Sequence, residues 1–182
     1  MALKSTIFKA ELAVADIGRG RYGSYALTIA RHPSETDERM MVRLLAFALH
    51  ASDTLAFGKG LSTEDEPDLW QRDLTGAIET WIDVGLPDEK DVRKACGRAR
   101  DVHVYAYGGR AVTLWWEKAR EKLEPLQRLT VSEVPIDASR DLAALAARSM
   151  RLHCTIQEDN ILFGDAATST SIELVPLKPA NS

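Results

Sequence analysis

A chain of 182 residues with 27 Asp and Glu against 23 Lys and Arg carries a formal charge of −4. That excludes a bulk electrostatic grip on nucleic acid and leaves room only for a local basic groove. The balance of 45% hydrophobic and 27% charged residues is that of a soluble globular protein. The length predicts a single domain, able to bury roughly 70% of its unfolded surface.

The two cysteines, Cys96 and Cys154, are too few for a disulfide scaffold, and neither has a CxxC or Cys-His spacing that would hold zinc. The start, Met1-Ala2-Leu3-Lys4-Ser5-Thr6, lacks the apolar core of a signal peptide. The longest uninterrupted apolar run, Leu44–Leu49, is far too short to span a bilayer. A reducing cytoplasm and no membrane partner are the expectation.

Residues 6–16 alternate. Phe8, Ala10, Leu12 and Val14 fall on one side, with Lys9 and Glu11 on the other, as in a half-buried strand. Gly18-Arg19-Gly20 signals a turn. Tyr25, Leu27 and Ile29 then alternate back as the second arm of a hairpin. Ser34 followed by Asp37 resembles a capping box and predicts a helix to about Ala51, with Met41, Leu44, Leu45 and Ala48 as its stripe. Glu38 lies at the edge of that stripe. Its carboxylate either looks inward at the sheet or sits solvated in the first turn, where the helix dipole favours it.

Residues 52–64 read as a loop with Gly58 and Gly60. Two short strands follow. Asp65-Glu66-Pro67-Asp68-Leu69-Trp70 leads into the first, and Ala77-Ile78-Glu79-Thr80-Trp81-Ile82-Asp83-Val84-Gly85 contains the second. Antiparallel pairing would bring Asp68 and Asp83 together at one end of the sheet. Two converging carboxylates suit a hard cation such as Mg2+ or Mn2+. Pro87-Asp88-Glu89 opens a helix whose small face is Val92, Ala95, Cys96 and Ala99. Lys90 and Lys94 stand one turn apart on another face.

Residues 102–107 form a strand with His103, Tyr105 and Tyr107 on one side, which either border a site or pack. After Gly108-Gly109, residues 112–123 read as a helix. Val112, Trp116 and Ala119 line one face of it, and Trp115 lies either over a cleft or in the core. Residues 129–134 are a strand, and Asp137 or Ser139 caps a short helix through Ala147. Met150, Leu152, Cys154 and Ile156 alternate. Glu158-Asp159-Asn160 turns the chain, and residues 161–163 and 171–175 close a β-meander. The domain is expected to span residues 1–176, with a frayed tail at 177–182.

Pro67-Asp68, a second strand acid at Asp83 and a lysine two residues later would make the nuclease signature PD-(D/E)XK. The Pro-acid pair alone means little: with 7 Pro among 182 residues, about one such pair arises by chance. The second pair, Pro87-Asp88, continues as Asp88-Glu89-Lys90, but it starts a helix where the signature needs a strand. At Asp83 the triplet is Asp83-Val84-Gly85, so the lysine position holds glycine. Lys94 on the following helix is the candidate replacement, and its place off the small-residue face argues for a solvated lysine instead.

Other segments resemble the YaeQ family of small bacterial proteins: Met1-Ala2-Leu3-Lys4, Ala30-Arg31-His32-Pro33-Ser34-Glu35-Thr36, Glu38-Arg39-Met40-Met41, Arg43-Leu44-Leu45-Ala46, Gly60-Leu61-Ser62, Asp65-Glu66-Pro67, Gly85-Leu86-Pro87-Asp88-Glu89, Lys94-Ala95-Cys96 and Trp115-Trp116. The resemblance runs from residue 1 to about 175. It implies an α/β fold, a PD-(D/E)XK restriction-endonuclease-like mixed sheet flanked by helices, with additional antiparallel strands. Carried over by position, it makes Glu38 the acid of the first helix, Asp68 and Asp83 the strand acids and metal ligands, and Lys94 the displaced lysine. Glu66 stands behind Asp68, while Glu35, Arg31, His32 and Arg39 form a rim. Two functions fit that expectation. One is a Mg2+- or Mn2+-dependent phosphodiesterase acting on DNA or RNA. The other is a nuclease-like scaffold that no longer cuts and binds protein or nucleic acid.

Overall fold

The computed structural model describes residues 4–59 and 65–180. Met1–Leu3 and Gly60-Leu61-Ser62, which carry part of the family resemblance, lie outside the described residues. In chain order the elements are β1 (Thr6–Asp16), β2 (Arg21–Arg31), α1 (Asp37–Leu49), β3 (Leu55–Phe57), β4 (Leu69–Arg72), β5 (Ile78–Val84), α2 (Glu89–Arg98) and β6 (Ala99–Ala106). Then come α3 (Arg110–Leu123), β7 (Leu129–Glu133), α4 (Ile136–Ala144), β8 (Ser149–Gln157), β9 (Asn160–Gly164), β10 (Ser169–Ile172) and β11 (Val175–Lys178). The chain gathers into two compact units, Met1–Ala51 with Asp137–Glu173 and Ser52–Ile136 with Leu174–Ser182.

The first unit holds a five-stranded mixed sheet in the order β10-β9-β8-β1-β2. β1 and β2 pair antiparallel from Thr6↔Arg31 to Asp16↔Arg21, and β8 joins β1 in parallel. The alternation of β1 is realised: Phe8, Ala10, Leu12 and Val14 are buried, and Lys9 and Glu11 are exposed. α1 starts later than the Ser34 cap predicts. Thr36 is the N-cap, its Oγ1 accepting from the Arg39 N–H at 3.1 Å. Ser34 is occupied elsewhere, with its hydroxyl 2.7 Å from His32 Nδ1. Asp37 falls inside the helix and pairs with Arg31.

The expected stripe of α1 widens to nine consecutive buried residues, Met40 to Ala48, which makes it a core helix rather than a surface one. Arg43 is among them, and a buried guanidinium is tolerable only when paired. Glu35 supplies the pair: Arg43 Nε and Nη2 each donate to one of its carboxylate oxygens at 2.8 Å. The Ala30 carbonyl accepts a further bond from Nη2 at 3.2 Å.

The second unit holds a six-stranded mixed sheet in the order β11-β7-β6-β5-β4-β3. β5, β6 and β7 run parallel, with β4 and β3 antiparallel on one flank and β11 antiparallel on the other. α2 packs on β6 and α3 on α2. The core between helices and sheet contains Trp81, Val92, Ala95, Val102, Val104, Ala119, Leu123, Leu129 and Val131. Its small residues on α2 permit the close approach that their helical spacing predicts.

Several expectations are corrected here. The loop at 52–64 contains β3. α4 begins at Ile136, so Asp137 lies in its first turn and Ser139 is buried, and neither caps it. The tail expected to fray from 177 instead carries β11 through Lys178, which is 4% exposed and donates from Nζ to the Leu129 carbonyl at 2.7 Å. Burial holds that ammonium below its ordinary pKa. No helix among the described residues is long and apolar enough to cross a membrane.

Both cysteines are free. Burial, assisted by Asp16, pushes the Cys154 thiol up to about 12, and burial pushes Cys96 up to about 11 against the opposing charge of Lys178. Both shifts disfavour the thiolate, the form that acts as a nucleophile. Two predictions follow from these units. Glu35→Ala strands the Arg43 charge and should cost about 3–5 kcal/mol in urea unfolding followed by circular dichroism; an unchanged midpoint would contradict the pairing. Iodoacetamide at pH 8 should label neither thiol in the folded chain and both in denaturant, and rapid native labelling would show an accessible thiolate.

Candidate active site

The register of β4 on β5 sets the site. Leu69 pairs with Ile82 and Trp70 with Trp81, so one residue further places Asp68 opposite Asp83. Cross-strand partners share a face. Asp68, Trp70, Trp81 and Asp83 therefore lie on one face of the sheet, the one that α2 covers through Val92 and Ala95 around Trp81. His103 pairs with Ile82 and belongs to the opposite face, where it stacks on Tyr105 at 6.5 Å. The His103–Tyr105 side thus does not border the two aspartates.

Both carboxylates are buried, Asp68 at 0% and Asp83 at 3% exposure. Asp68 Oδ2 accepts the backbone N–H of Val84 at 2.8 Å, and Asp83 Oδ2 accepts the indole N–H of Trp81 at 3.0 Å. The first also reaches across the two strands and fixes the last residue of β5 against the start of β4. Behind Asp68, Gly58 donates its N–H to the Asp68 carbonyl at 2.8 Å. A Cβ on Gly58 would sit 2.0 Å from the Pro67 carbonyl oxygen, so only glycine allows this approach.

Gly85 explains the missing lysine. Its φ is 95°, and its N–H donates to the Tyr105 carbonyl at 2.9 Å, so the backbone is held in a region that L side chains avoid. A lysine here would be strained by about 1–3 kcal/mol. Backbone conformation disfavours a side chain at this position, so a cation is more readily supplied from another element.

α2 supplies candidates. Arg98 places its guanidinium 5.2 Å from the Trp81 ring centroid, and its Nη1 donates to the Asp65 carbonyl at 3.3 Å. Lys94, one turn earlier, is exposed. Lys94, Gly97, Arg98 and Asp65 line an open pocket of about 460 Å3. On the neighbouring strand Trp70 meets Trp81 edge-on at 6.2 Å, and the Arg72 guanidinium lies 4.4 Å over Trp70.

The remaining candidates have surroundings of their own. Glu66 is half-buried two residues before Asp68, next to Gly58. Glu38 is half-buried in the first turn of α1, in the first unit. Glu35 is the buried partner of Arg43, and Arg39 donates to it at 3.4 Å. Arg31 is paired with Asp37 and stacks over Phe8, while His32 is bonded to Ser34. The structure thus brings together Asp68 and Asp83, with Lys94 on the helix over their face. Among the described residues no group of three or more His, Cys, Asp or Glu is placed to hold a metal ion. Trp81 and Arg98 are the members that sequence reasoning missed. Trp81 is two residues before Asp83 on the same strand face, and Arg98 is one helical turn after Lys94, so both spacings held the signal.

Comparison with known proteins now settles the lineage. The family model described as YaeQ protein matches residues 1–174. The chain belongs to the YaeQ family. It is 45% identical over 174 residues to the uncharacterized protein YaeQ of Salmonella typhi and 41% identical to that of Escherichia coli K12, covering 96% of each chain in both cases. The solved structure of the YaeQ protein from Xanthomonas axonopodis pv. citri superposes with a TM-score of 0.92 at 46% identity, covering 96% of this chain and 99% of that one. The YaeQ protein from Pseudomonas syringae gives a TM-score of 0.92 at 36% identity, covering 98% of both.

The bond from Asp68 to Val84 is testable apart from any activity. Asp68→Ala leaves a buried N–H unsatisfied and should lose about 1–3 kcal/mol of stability. Asp68→Asn keeps an acceptor oxygen and should lose clearly less. Equal losses in the two variants, measured by urea titration, would contradict that role.

Proposed function

We propose that this YaeQ-family chain is a divalent-metal-dependent phosphodiesterase of the nuclease type, with Asp68 and Asp83 as its metal-binding pair. The observation that carries the reading is the pair itself: two carboxylates on adjacent strands, opposite in register, on one face and withdrawn from water. Buried charges persist when they are paired or coordinate a metal. An oxygen-only pair suits Mg2+ or Mn2+, whose remaining ligands would be water and substrate oxygen. The chemistry such an ion brings is Lewis acidity toward a phosphoryl oxygen and a lowered pKa for bound water.

The chain's own residues have definable tasks. The Trp81 and Val84 N–H groups hold the two carboxylates in orientation. Lys94 steadies the phosphate from α2, since Gly85 cannot. The antiparallel pair β4–β5 followed by the parallel β5–α2–β6 unit supports reading the fold as a variant of the PD-(D/E)XK arrangement. The free thiols accord with a cytoplasmic setting.

A second reading, a nuclease-like scaffold that binds without cutting, is favoured by one observation, the backbone at Gly85 that disfavours a side chain at the usual lysine position. Incubation with mixed DNA and RNA substrates in Mn2+ separates the two. Cleavage is expected in the natural chain and should vanish in Asp83→Asn and in Lys94→Ala. Lys94→Ala should keep its melting temperature, because an exposed lysine contributes little to stability. Intact substrates throughout, or cleavage that survives Asp83→Asn, would overturn the catalytic reading.

A further inference from the structure

Four side chains of the second unit form a row across the carboxylate-bearing face: Arg98, Trp81, Trp70 and Arg72. The successive contacts are 5.2, 6.2 and 4.4 Å. The two arginines are exposed at its ends, and Lys94 stands one turn from Arg98 on the wall of the same open pocket. Both walls of that pocket are tied to the aspartates. The Asp65 wall is three residues before Asp68, and the Arg98 wall rests on the indole that donates to Asp83.

From this row we infer that Lys94, Arg98 and Arg72 form a docking track for the phosphate backbone of a single nucleic-acid strand, gripped without regard to base sequence. It deepens the phosphodiesterase reading by naming how the substrate is held, and it rests on that reading only for what happens to the strand afterwards. Charge complementarity selects the occupant. The whole chain is net acidic, yet this face carries cations at both ends of an aromatic row, which matches an extended polyanion better than a lone phosphate. The aromatic rings explain the indifference to sequence. Trp81 is 1% exposed and Trp70 lies under Arg72, so neither ring offers an open surface for a base. The rings serve instead as rigid beds for the guanidiniums, a cation–π arrangement that fixes a long side chain. Contacts to phosphate alone position a strand and carry no base information.

The test uses the full chain with EDTA present, so that binding is read without metal. A fluorescein-labelled oligothymidine of about 15 nucleotides is titrated and followed by anisotropy. Binding is expected at low salt, weakening as salt rises. The double variant Lys94→Ala/Arg98→Ala should bind at least tenfold more weakly, with a log–log salt slope reduced by about 1 for each cation removed. Lys118→Ala, on α3, should bind as the natural chain does, and thermal melting should confirm that all variants are folded. An oligoadenosine of the same length should bind within a few-fold of oligothymidine.

Absence of binding at low salt, or a double variant that binds normally, would overturn the track. Tighter binding of a duplex of the same length would overturn its single-strand character. The two proposals fail separately. Binding that depends on Lys94 and Arg98 but is never followed by Mn2+-dependent cleavage removes the enzyme and keeps the track. Cleavage that is unaltered when Arg98 and Arg72 are replaced removes the track and keeps the enzyme.

Discussion

The second unit depends on one constraint, the antiparallel register that sets β4 against β5. It is held at its end by a charge-assisted bond from Asp68 to the Val84 N–H. Because the pleat has a period of two, a slip of one residue would send Asp68 and Asp83 to opposite faces of the sheet. Two features resist the slip. Trp70 and Trp81 face each other as a cross-strand aromatic pair, and Gly58 admits the Pro67-Asp68 backbone at a distance that no side chain would permit. The register therefore places Asp68 and Asp83 opposite one another on one buried face of the sheet.

Charges in the two units are handled differently. In the first, Glu35 and Arg43 neutralise one another as a bidentate pair, and Arg39 adds a longer bond at the edge. That pair has the geometry of a structural clamp. In the second, Arg98 lies over the face of Trp81, whose indole N–H donates to Asp83. The two clusters look alike in sequence, each an acid close to basic residues.

Much of this was legible from residue pattern. The alternation of β1, the small face of α2 and the convergence of Asp68 with Asp83 all follow from side-chain period, which is a local property. What escaped was competition between nearby options. Ser34 and Thr36 both qualify as N-caps, and the hydrogen bond of Ser34 to His32 decided between them. Glu35 reads as part of a site rim, and the tertiary fold instead brings Arg43, eight residues later, onto it. β11 reads as a fraying tail because its partner, β7, is far away in sequence; pairing with β7 and the bond from Lys178 to the Leu129 carbonyl hold it. Gly85 is visible as the absence of a lysine, but only its backbone angle shows that a lysine there would be strained.

The central claim is that Asp68 and Asp83 act together on one divalent cation. The most direct measurement is a calorimetric titration of the metal-free chain with Mn2+, repeated on Asp68→Asn and Asp83→Asn. The account predicts one binding site per natural chain, and the loss of that site in each variant alone, since neither carboxylate suffices without the other. Absence of heat in the natural chain, or binding that survives either substitution unchanged, would contradict it.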